Sequence, residues 1–90
     1  MTALRDEQVA AALAHLPGWQ QEARAIRKVY AIAGLQAAMR FVSRVADLAD
    51  AHGSSIEFHI APGSVIVGVH TPGAEGVTGA DLEFAKRIDR

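Results

Sequence analysis

Two short segments of regularly spaced apolar residues, joined by a turn, most constrain the fold of this chain. Ile56–Ile60 and Val65–Val69 each carry an apolar side chain at every second position, which is the period of a strand. The linker, Ala61-Pro62-Gly63-Ser64, contains the Pro-Gly pair that is typical of a tight turn. The pattern predicts a β-hairpin. Its apolar face should consist of Ile56, Phe58, Ile60, Val65, Val67 and Val69, and its mixed opposite face of Glu57, His59, Ile66 and Gly68.

Helical and strand patterns alternate along the rest of the chain. They predict a helix over Asp6–His15, strands over Trp19–Ala23 and Ala25–Ile32, a helix over Leu35–Ala51 and, after the hairpin, a helix opened by Thr78. The order is therefore helix-strand-strand-helix-strand-strand-helix. It is typical of an α+β domain in which helices cover one face of a four-stranded antiparallel sheet. Ninety residues suffice for one such domain, spanning 1–90.

The predicted helix over Leu35–Ala51 carries two apolar stripes. The broad one, expected to face the sheet, consists of Leu35, Met39, Val42, Val45, Ala46 and Ala49. A narrower one consists of Ala37, Phe41 and Leu48. A chain this short buries only about 60–65% of its unfolded surface, and half of its residues are hydrophobic. We therefore expect a homo-oligomer, a dimer or a tetramer, with Phe41 and Leu48 between copies, although Phe41 can also lie at the edge of the core.

Basic residues are concentrated between Ala23 and Ala46, where no acidic residue occurs. They are Arg24, Arg27, Lys28, Arg40 and Arg44. If several share one surface, they can attract an acidic protein partner; a solvated surface with segregated charges is the alternative interpretation. The formal net charge of −1 argues against nucleic acid as the main ligand.

The composition also excludes several classes of protein and site. Without cysteine, neither a disulfide nor a thiolate metal site can form, and His52, His59 and His70 lack the close spacing of a zinc motif. No motif for binding a nucleotide cofactor is present. The first residues lack a secretory signal, and no apolar run can span a membrane, so a cytoplasmic protein without metal or cofactor is expected.

Several local motifs, in their order along the chain, resemble those of one known family. Leu16-Pro17-Gly18-Trp19 resembles its L-x-G-W, and the segment from Phe41 to Asp50 resembles its helix F-x-x-R-V-A-x-x-A-E. Gly76-Val77-Thr78, followed by Asp81, resembles its G-L-T-x-x-D. The chain thus resembles the pterin-4a-carbinolamine dehydratases over nearly its whole length. The resemblance implies their α+β fold and oligomeric state.

The catalytic histidines of that family are absent from the corresponding positions. Its adjacent histidine pair corresponds to Ser54 and Ser55, and its third histidine to Pro72, while Phe58 and Asp81 match other positions of the pocket. In the enzymes these imidazoles bind the pterin and move protons, which needs groups that titrate near neutral pH. The resemblance therefore implies a vestigial pocket with no catalytic residue. Asp81 also stands three residues after Thr78, where it can cap the last helix, and we favour that role.

In lacking these histidines, the chain resembles a divergent branch of the family that is associated with alpha-carboxysome gene clusters and acts as a Rubisco assembly factor. The resemblance implies a non-catalytic protein-binding function in the bacterial cytoplasm, near carboxysomes, with the Rubisco large subunit as partner. Two alternatives stay open. One is a dehydratase with a remodelled site to which His52 contributes, since His70 should point to the opposite face of its strand. The other is a binder of a pterin or another small ligand without turnover.

Overall fold

The computed structural model describes residues 3–50 and 54–90. Its elements are α1 (Asp6–Leu13), β1 (Gln20–Glu22), β2 (Ala25–Ala31), α2 (Leu35–Asp50), β3 (Ser55–Ala61), β4 (Ser64–His70) and α3 (Gly79–Ile88). The strands form one antiparallel sheet in the order β1-β2-β4-β3. The predicted α+β order is confirmed, with small differences at the ends of elements. In the described parts of the chain, no helix has the length and apolar character needed to span a membrane.

The hairpin of β3 and β4 has the predicted register. Ala61 pairs with Ser64, so only Pro62 and Gly63 form the turn. Gly63 has a φ of +82°, a left-handed conformation that residues with a Cβ rarely adopt. Direct pairs join Ile56 to Val69, Phe58 to Val67 and Ile60 to Val65, which confirms the apolar face.

The core lies between that apolar face and the helices. Val65, Val67 and Val69 are fully buried, as is Ile26 of β2. The helices contribute Val9 from α1, Ala38 and Val45 from α2, and Leu82, Phe84, Ala85 and Ile88 from α3. Burying a side chain of this size stabilises the fold by about 1.5–3 kcal/mol, so the hairpin face is the main surface on which the helices assemble.

The rotation of α2 differs from the prediction. Leu35 and Met39, assigned to the stripe facing the sheet, are 69% and 48% exposed, and Ala46 is also exposed. The residues that do face the core lie at helical spacing from Ala38 and Val45, which are both buried. They are Phe41, Val42, Leu48 and Ala49.

The inward stripe therefore includes Phe41 and Leu48, which we had expected between copies. Both pack against the core, and the Phe41 ring lies 4.6 Å from the Tyr30 ring, centroid to centroid. The predicted stripe facing the sheet was wrong for Leu35, Met39 and Ala46 and right for Val42, Val45 and Ala49. The small Ala38 lets the helix approach the sheet on this side, and Tyr30 supplies an aromatic surface for Phe41. A contact between copies at Phe41 and Leu48 stays a prediction.

Candidate functional site

Asp81 and Thr78 form the capping box predicted at the start of α3. The Thr78 backbone N–H donates to Asp81 Oδ2 at 3.0 Å, and the Asp81 backbone N–H donates to Thr78 Oγ1 at 3.3 Å. Helix ends leave backbone N–H groups without partners inside the helix, and these two bonds satisfy a donor on each residue. The carboxylate is thereby fixed at the helix N-terminus, where a negative charge is favourable.

Two hydroxyl groups from outside α3 also reach the Asp81 carboxylate. Thr71, just after β4, donates to Asp81 Oδ1 at 2.8 Å, and Ser54, just before β3, donates to the same oxygen at 3.2 Å. The Thr71 and Thr78 hydroxyls are 2.8 Å apart and share a hydrogen bond. Asp81 is 0% exposed. We call Ser54, Thr71, Thr78 and Asp81 the hydroxyl cluster; it joins β3, β4 and α3 through one buried carboxylate.

The structure brings together only part of the predicted pocket. Ser54 and Asp81 meet in the hydroxyl cluster, whereas Ser55 pairs with His70 on the opposite face of the sheet. Phe58 packs against the core beside Val67, and Pro72 is exposed. The two serines diverge because neighbouring strand residues point to opposite faces.

His59 and His70 point to the face of the sheet opposite its apolar core face. His70 points to the face opposite Val69, as predicted from the alternation of side chains along a strand. His59 pairs with Ile66 on that same outer face and is exposed. His52 lies outside the described residues. Within residues 3–50 and 54–90 no group of three or more potential ligand side chains is arranged to hold a metal ion.

A second polar cluster surrounds Asp89 at the end of α3, and the sequence did not predict it. Asp89 Oδ2 accepts from Trp19 Nε1 at 2.9 Å and from Lys28 Nζ at 3.0 Å, and Oδ1 accepts from the Tyr30 hydroxyl at 2.6 Å. The Lys28 ammonium also lies 4.9 Å from the centroid of the Tyr30 ring. We call these residues the Asp89 cluster. It fastens the end of α3 to β2 and to the segment before β1.

The charges of the Asp89 cluster influence one another. Burial alone would raise the pKa of Asp89, but the hydrogen bonds from Tyr30, Trp19 and Lys28 outweigh it and hold that pKa below its ordinary value. Burial, followed by the bond to Asp89 and its negative charge, raises the pKa of Tyr30 far above its ordinary value. The ionised carboxylate and the neutral phenol are therefore the stable forms near neutral pH.

The five basic residues between Ala23 and Ala46 do not form one surface. Arg27 and Lys28 lie on opposite faces of β2; Arg27 pairs with Glu22 at 2.6 Å and Lys28 with Asp89. Arg44 donates to the Ile88 carbonyl at 3.1 Å and lies 5.4 Å from the Phe41 ring. The remaining two, Arg24 and Arg40, are exposed and form no ion pair with any residue that the structure describes.

Two neighbouring grooves follow the exposed side of α2. One, of about 440 Å³, is apolar and lies between the start of α2 and the hairpin turn; its lining includes Leu35, Ile60 and Pro62. The other, of about 670 Å³, runs along α2 past Met39 and Arg40 and shares Leu35 with the first. The apolar and basic parts of this surface are therefore continuous, and it lies on α2, away from the hydroxyl cluster.

Comparison with known proteins gives consistent likenesses over the whole chain. The sequence model of the family described as Pterin 4 alpha carbinolamine dehydratase matches residues 2–90. A protein of Nocardia farcinica is 35% identical over 86 residues, which are 96% of this chain and 90% of the relative. One of Roseiflexus castenholzii is 34% identical over 86 residues, 96% of this chain and 92% of the relative. Both carry the provisional name pterin-4-alpha-carbinolamine dehydratase.

A solved structure gives the same result for the fold. The protein described as transcriptional coactivator/pterin dehydratase from Brucella melitensis superposes with a TM-score of 0.88 at 26% sequence identity. The superposition covers 97% of this chain and 95% of that one. The likeness thus includes every element described above.

Proposed function

The chain belongs to the pterin 4 alpha carbinolamine dehydratase family, and we propose that within it the protein is a non-catalytic member that acts as an assembly factor for another protein. The observation that carries this proposal is the hydroxyl cluster. The Asp81 carboxylate accepts bonds from Ser54, Thr71 and the Thr78 backbone, all within its own chain, and is closed to solvent. A substrate could reach this carboxylate only by displacing bonds that hold the fold together.

The chemistry of the cluster also argues against dehydration. Loss of a hydroxyl group as water needs a group that delivers a proton and one that removes a proton, each titrating near the working pH. The side chains that bond to the Asp81 carboxylate are the hydroxyls of Ser54 and Thr71, which do not exchange protons in that range. The hydroxyl cluster therefore supports a structural role better than proton transfer.

The exposed side of α2 is the proposed binding surface. Leu35 and Met39 are exposed there beside Arg40, which forms no ion pair with a described residue, and the apolar groove at Ile60 and Pro62 continues the same surface. Exposed apolar residues next to arginine are typical of surfaces that bind proteins. Arg40 would favour a partner with an acidic surface, because complementary charges speed association.

The Rubisco large subunit is the partner that we propose for this surface. The identification rests on the resemblance to the divergent branch of the family that lacks the catalytic histidines, and it implies a bacterial protein that works near carboxysomes. Since the charges of α2 support only an acidic protein partner in general, the test has to address Rubisco directly.

The binding test is a pull-down against the Rubisco large subunit at low and at high salt. Arg40→Glu should abolish capture, because it reverses the exposed charge beside Met39. Arg24→Glu is the matched control, because Arg24 is exposed in the turn between β1 and β2 and does not line the groove along α2. Arg44→Glu should also weaken capture, but it disturbs the contact with Ile88 as well, so Arg40 carries the conclusion. Absence of capture of a folded parent at low salt would remove Rubisco as the partner.

The second candidate is a dehydratase with a remodelled site, and the provisional names of the relatives favour it. A dehydratase assay with the carbinolamine substrate separates the two, because each lost acid-base group typically costs about 10²- to 10⁴-fold in rate. We expect turnover at least about 100-fold below that of a histidine-bearing relative. Turnover within about tenfold of that relative would contradict the proposal, and its loss in His52→Ala would identify the remodelled site. Titration with a reduced pterin tests the third possibility, binding without turnover.

A further inference from the structure

A groove on the outer face of the sheet, opposite the helices, has no part in the proposed function. Its volume is about 440 Å³, which lies within the range of small-molecule sites. All four strands contribute to its lining, which combines small or apolar residues with charged ones. The first group includes Ala25, Ile66 and Gly68, and the second consists of Glu22, Arg27 and Glu57. We call it the outer groove.

Gly68 leaves the middle of the outer groove without a side chain. It lies in the interior strand β4, paired with Arg27 of β2 on one side and with Glu57 of β3 on the other. Its φ is not positive, and among the described residues a Cβ built at Gly68 would meet only the Cβ of Glu57, at the ordinary contact distance of 3.9 Å. The described fold therefore does not require glycine here, although glycine weakens the interior of a strand. A glycine at such a position often marks a place where a ligand approaches the backbone closely.

The charges around Gly68 favour a positively charged ligand. Arg27 and Glu57 lie two strand spacings apart, about 10 Å between Cα atoms, but Arg27 turns to Glu22 instead, at 2.6 Å. Glu57 is exposed and forms no ion pair with any residue that the structure describes. Because Glu22 already balances Arg27, the carboxylate of Glu57 gives the outer groove its excess negative charge. A cationic group can complement this carboxylate, whereas an anionic one would be repelled.

We propose that the outer groove binds a small aliphatic amine, whose ammonium group contacts the Glu57 carboxylate and whose hydrocarbon chain lies over Gly68 toward Ile66. An ammonium group donates hydrogen bonds to a carboxylate, and bonds between charged groups are stronger than neutral ones. The hydrocarbon chain covers the side of Ile66 that is half-buried in the free protein. The small volume and the single excess charge favour a free amine over the surface of another protein. The proposal is independent of the proposed function, because the outer groove and α2 lie on opposite faces of the sheet.

A titration with pentylamine, followed by the backbone amide signals of isotope-labelled protein in nuclear magnetic resonance, tests the proposal. Pentylamine carries a positive charge at neutral pH, as the lysine side chain does. The amides of Gly68 and Glu57 should shift in a saturable way, with a dissociation constant on the order of 1–10 mM for so small a ligand. Pentanol and pentanoate have similar chains with a neutral and a negative head. Pentanol should bind at least about threefold more weakly, and pentanoate should not bind.

A substitution at Gly68 tests the position of the hydrocarbon chain. Gly68→Val fills the space over β4 and should abolish the shift of the Glu57 amide. Its melting temperature should equal or exceed that of the parent, because a Cβ has room there and valine favours strands. Ala31→Val is the matched control, because Ala31 is exposed on β2 and does not line the outer groove.

A substitution at Glu57 tests the position of the ammonium group without changing the space over Gly68. Glu57→Gln should weaken the binding of pentylamine by about 3- to 10-fold and leave that of pentanol unchanged. Glu75→Gln is the matched control, since Glu75 is exposed outside the outer groove. Thermal unfolding establishes that each variant is folded.

Four results would overturn the proposal. The first is the absence of a saturable shift at Gly68 up to about tenfold above the expected dissociation constant. The second is pentanol that binds the parent as tightly as pentylamine does. The third is undiminished binding of pentylamine in folded Gly68→Val or in Glu57→Gln. The fourth is a Gly68→Val variant that melts well below the parent, because the fold itself would then need the glycine. None of these results concerns partner capture or turnover, so each leaves the proposed function as it stands.

Discussion

Removal of the Asp81 carboxylate tests whether this residue holds the fold together. In Asp81→Ala, the Thr78 backbone N–H loses its acceptor, and the hydroxyls of Ser54 and Thr71 lose theirs. Since Asp81 is 0% exposed, water does not replace the carboxylate without opening the structure around α3. The substitution should therefore destabilise three elements together and leave the exposed side of α2 unchanged.

The size of the effect follows from the bonds that are lost. Loss of a helix cap typically costs about 1 kcal/mol. A hydroxyl that loses its acceptor costs about 0.5–1.5 kcal/mol more, and Ser54 and Thr71 each lose one. We expect the free energy of unfolding to fall by about 2–4 kcal/mol. For 90 residues this corresponds to about 5 °C in melting temperature per kcal/mol, or about 10–20 °C in total.

Urea unfolding and differential scanning calorimetry measure these quantities. Asp81→Asn keeps the shape and one oxygen acceptor and should lie between Asp81→Ala and the parent. Asp47→Ala, at an exposed acid of α2, is the matched control and should change stability by less than about 0.5 kcal/mol. An equally small change in Asp81→Ala, together with lost partner binding, would refute the structural role and make Asp81 a contact residue.

Three further predictions concern the remaining contacts. Because the folded-state pKa of Asp89 is lowered, its contribution is present above the unfolded-state pKa and lost as the pH falls through the folded-state value. Asp89→Asn should therefore cost about 1 kcal/mol at neutral pH in urea unfolding, and the difference from the parent should shrink as the pH falls below the ordinary pKa of an aspartate. Gly18→Ala should lower the melting temperature by about 5–10 °C, because φ is +86° there and a Cβ would lie 3.0 Å from Lys28 Cε. An unchanged melting temperature would contradict both the backbone strain and the close approach of Lys28. Phe41→Asp should lower the melting temperature by at least about 10 °C, because Phe41 packs against the core. Met39→Asp should leave it nearly unchanged, because Met39 is exposed. Equal effects of the two substitutions in thermal unfolding would contradict the described rotation of α2.

The parts of the fold that the sequence predicted depend on neighbours along the chain. The hairpin follows from alternation on both sides of Pro62-Gly63, and the capping box from the spacing of Thr78 and Asp81. Both are local patterns, in which a few consecutive residues determine the geometry.

The parts that the sequence did not predict depend on residues far apart. Trp19 and Asp89 are separated by 70 positions, and nothing in either local motif indicates that they meet. The predicted rotation of α2 was wrong because, in sequence, Leu35 and Met39 are as suitable for burial as Phe41. Only the packing of Ala38 and Tyr30 in the folded protein decides which stripe faces the core. The hydroxyl cluster lies between these cases: Asp81 and Ser54 were both singled out, but their direct hydrogen bond was not.

The strand order has a consequence for how fast the chain folds. The two central strands, β2 and β4, are far apart in sequence, with α2 and β3 between them. Their pairing, from Ile26–Val69 to Ala31–Ser64, nevertheless forms the centre of the sheet. Closing so long a loop costs chain entropy before any contact repays it, whereas the β3–β4 hairpin closes over two residues. We therefore expect the hairpin to form early and the docking of β2 onto β4 to be the rate-limiting search, so that substitutions at Ile26 slow refolding, while those at the Asp89 cluster mainly speed unfolding.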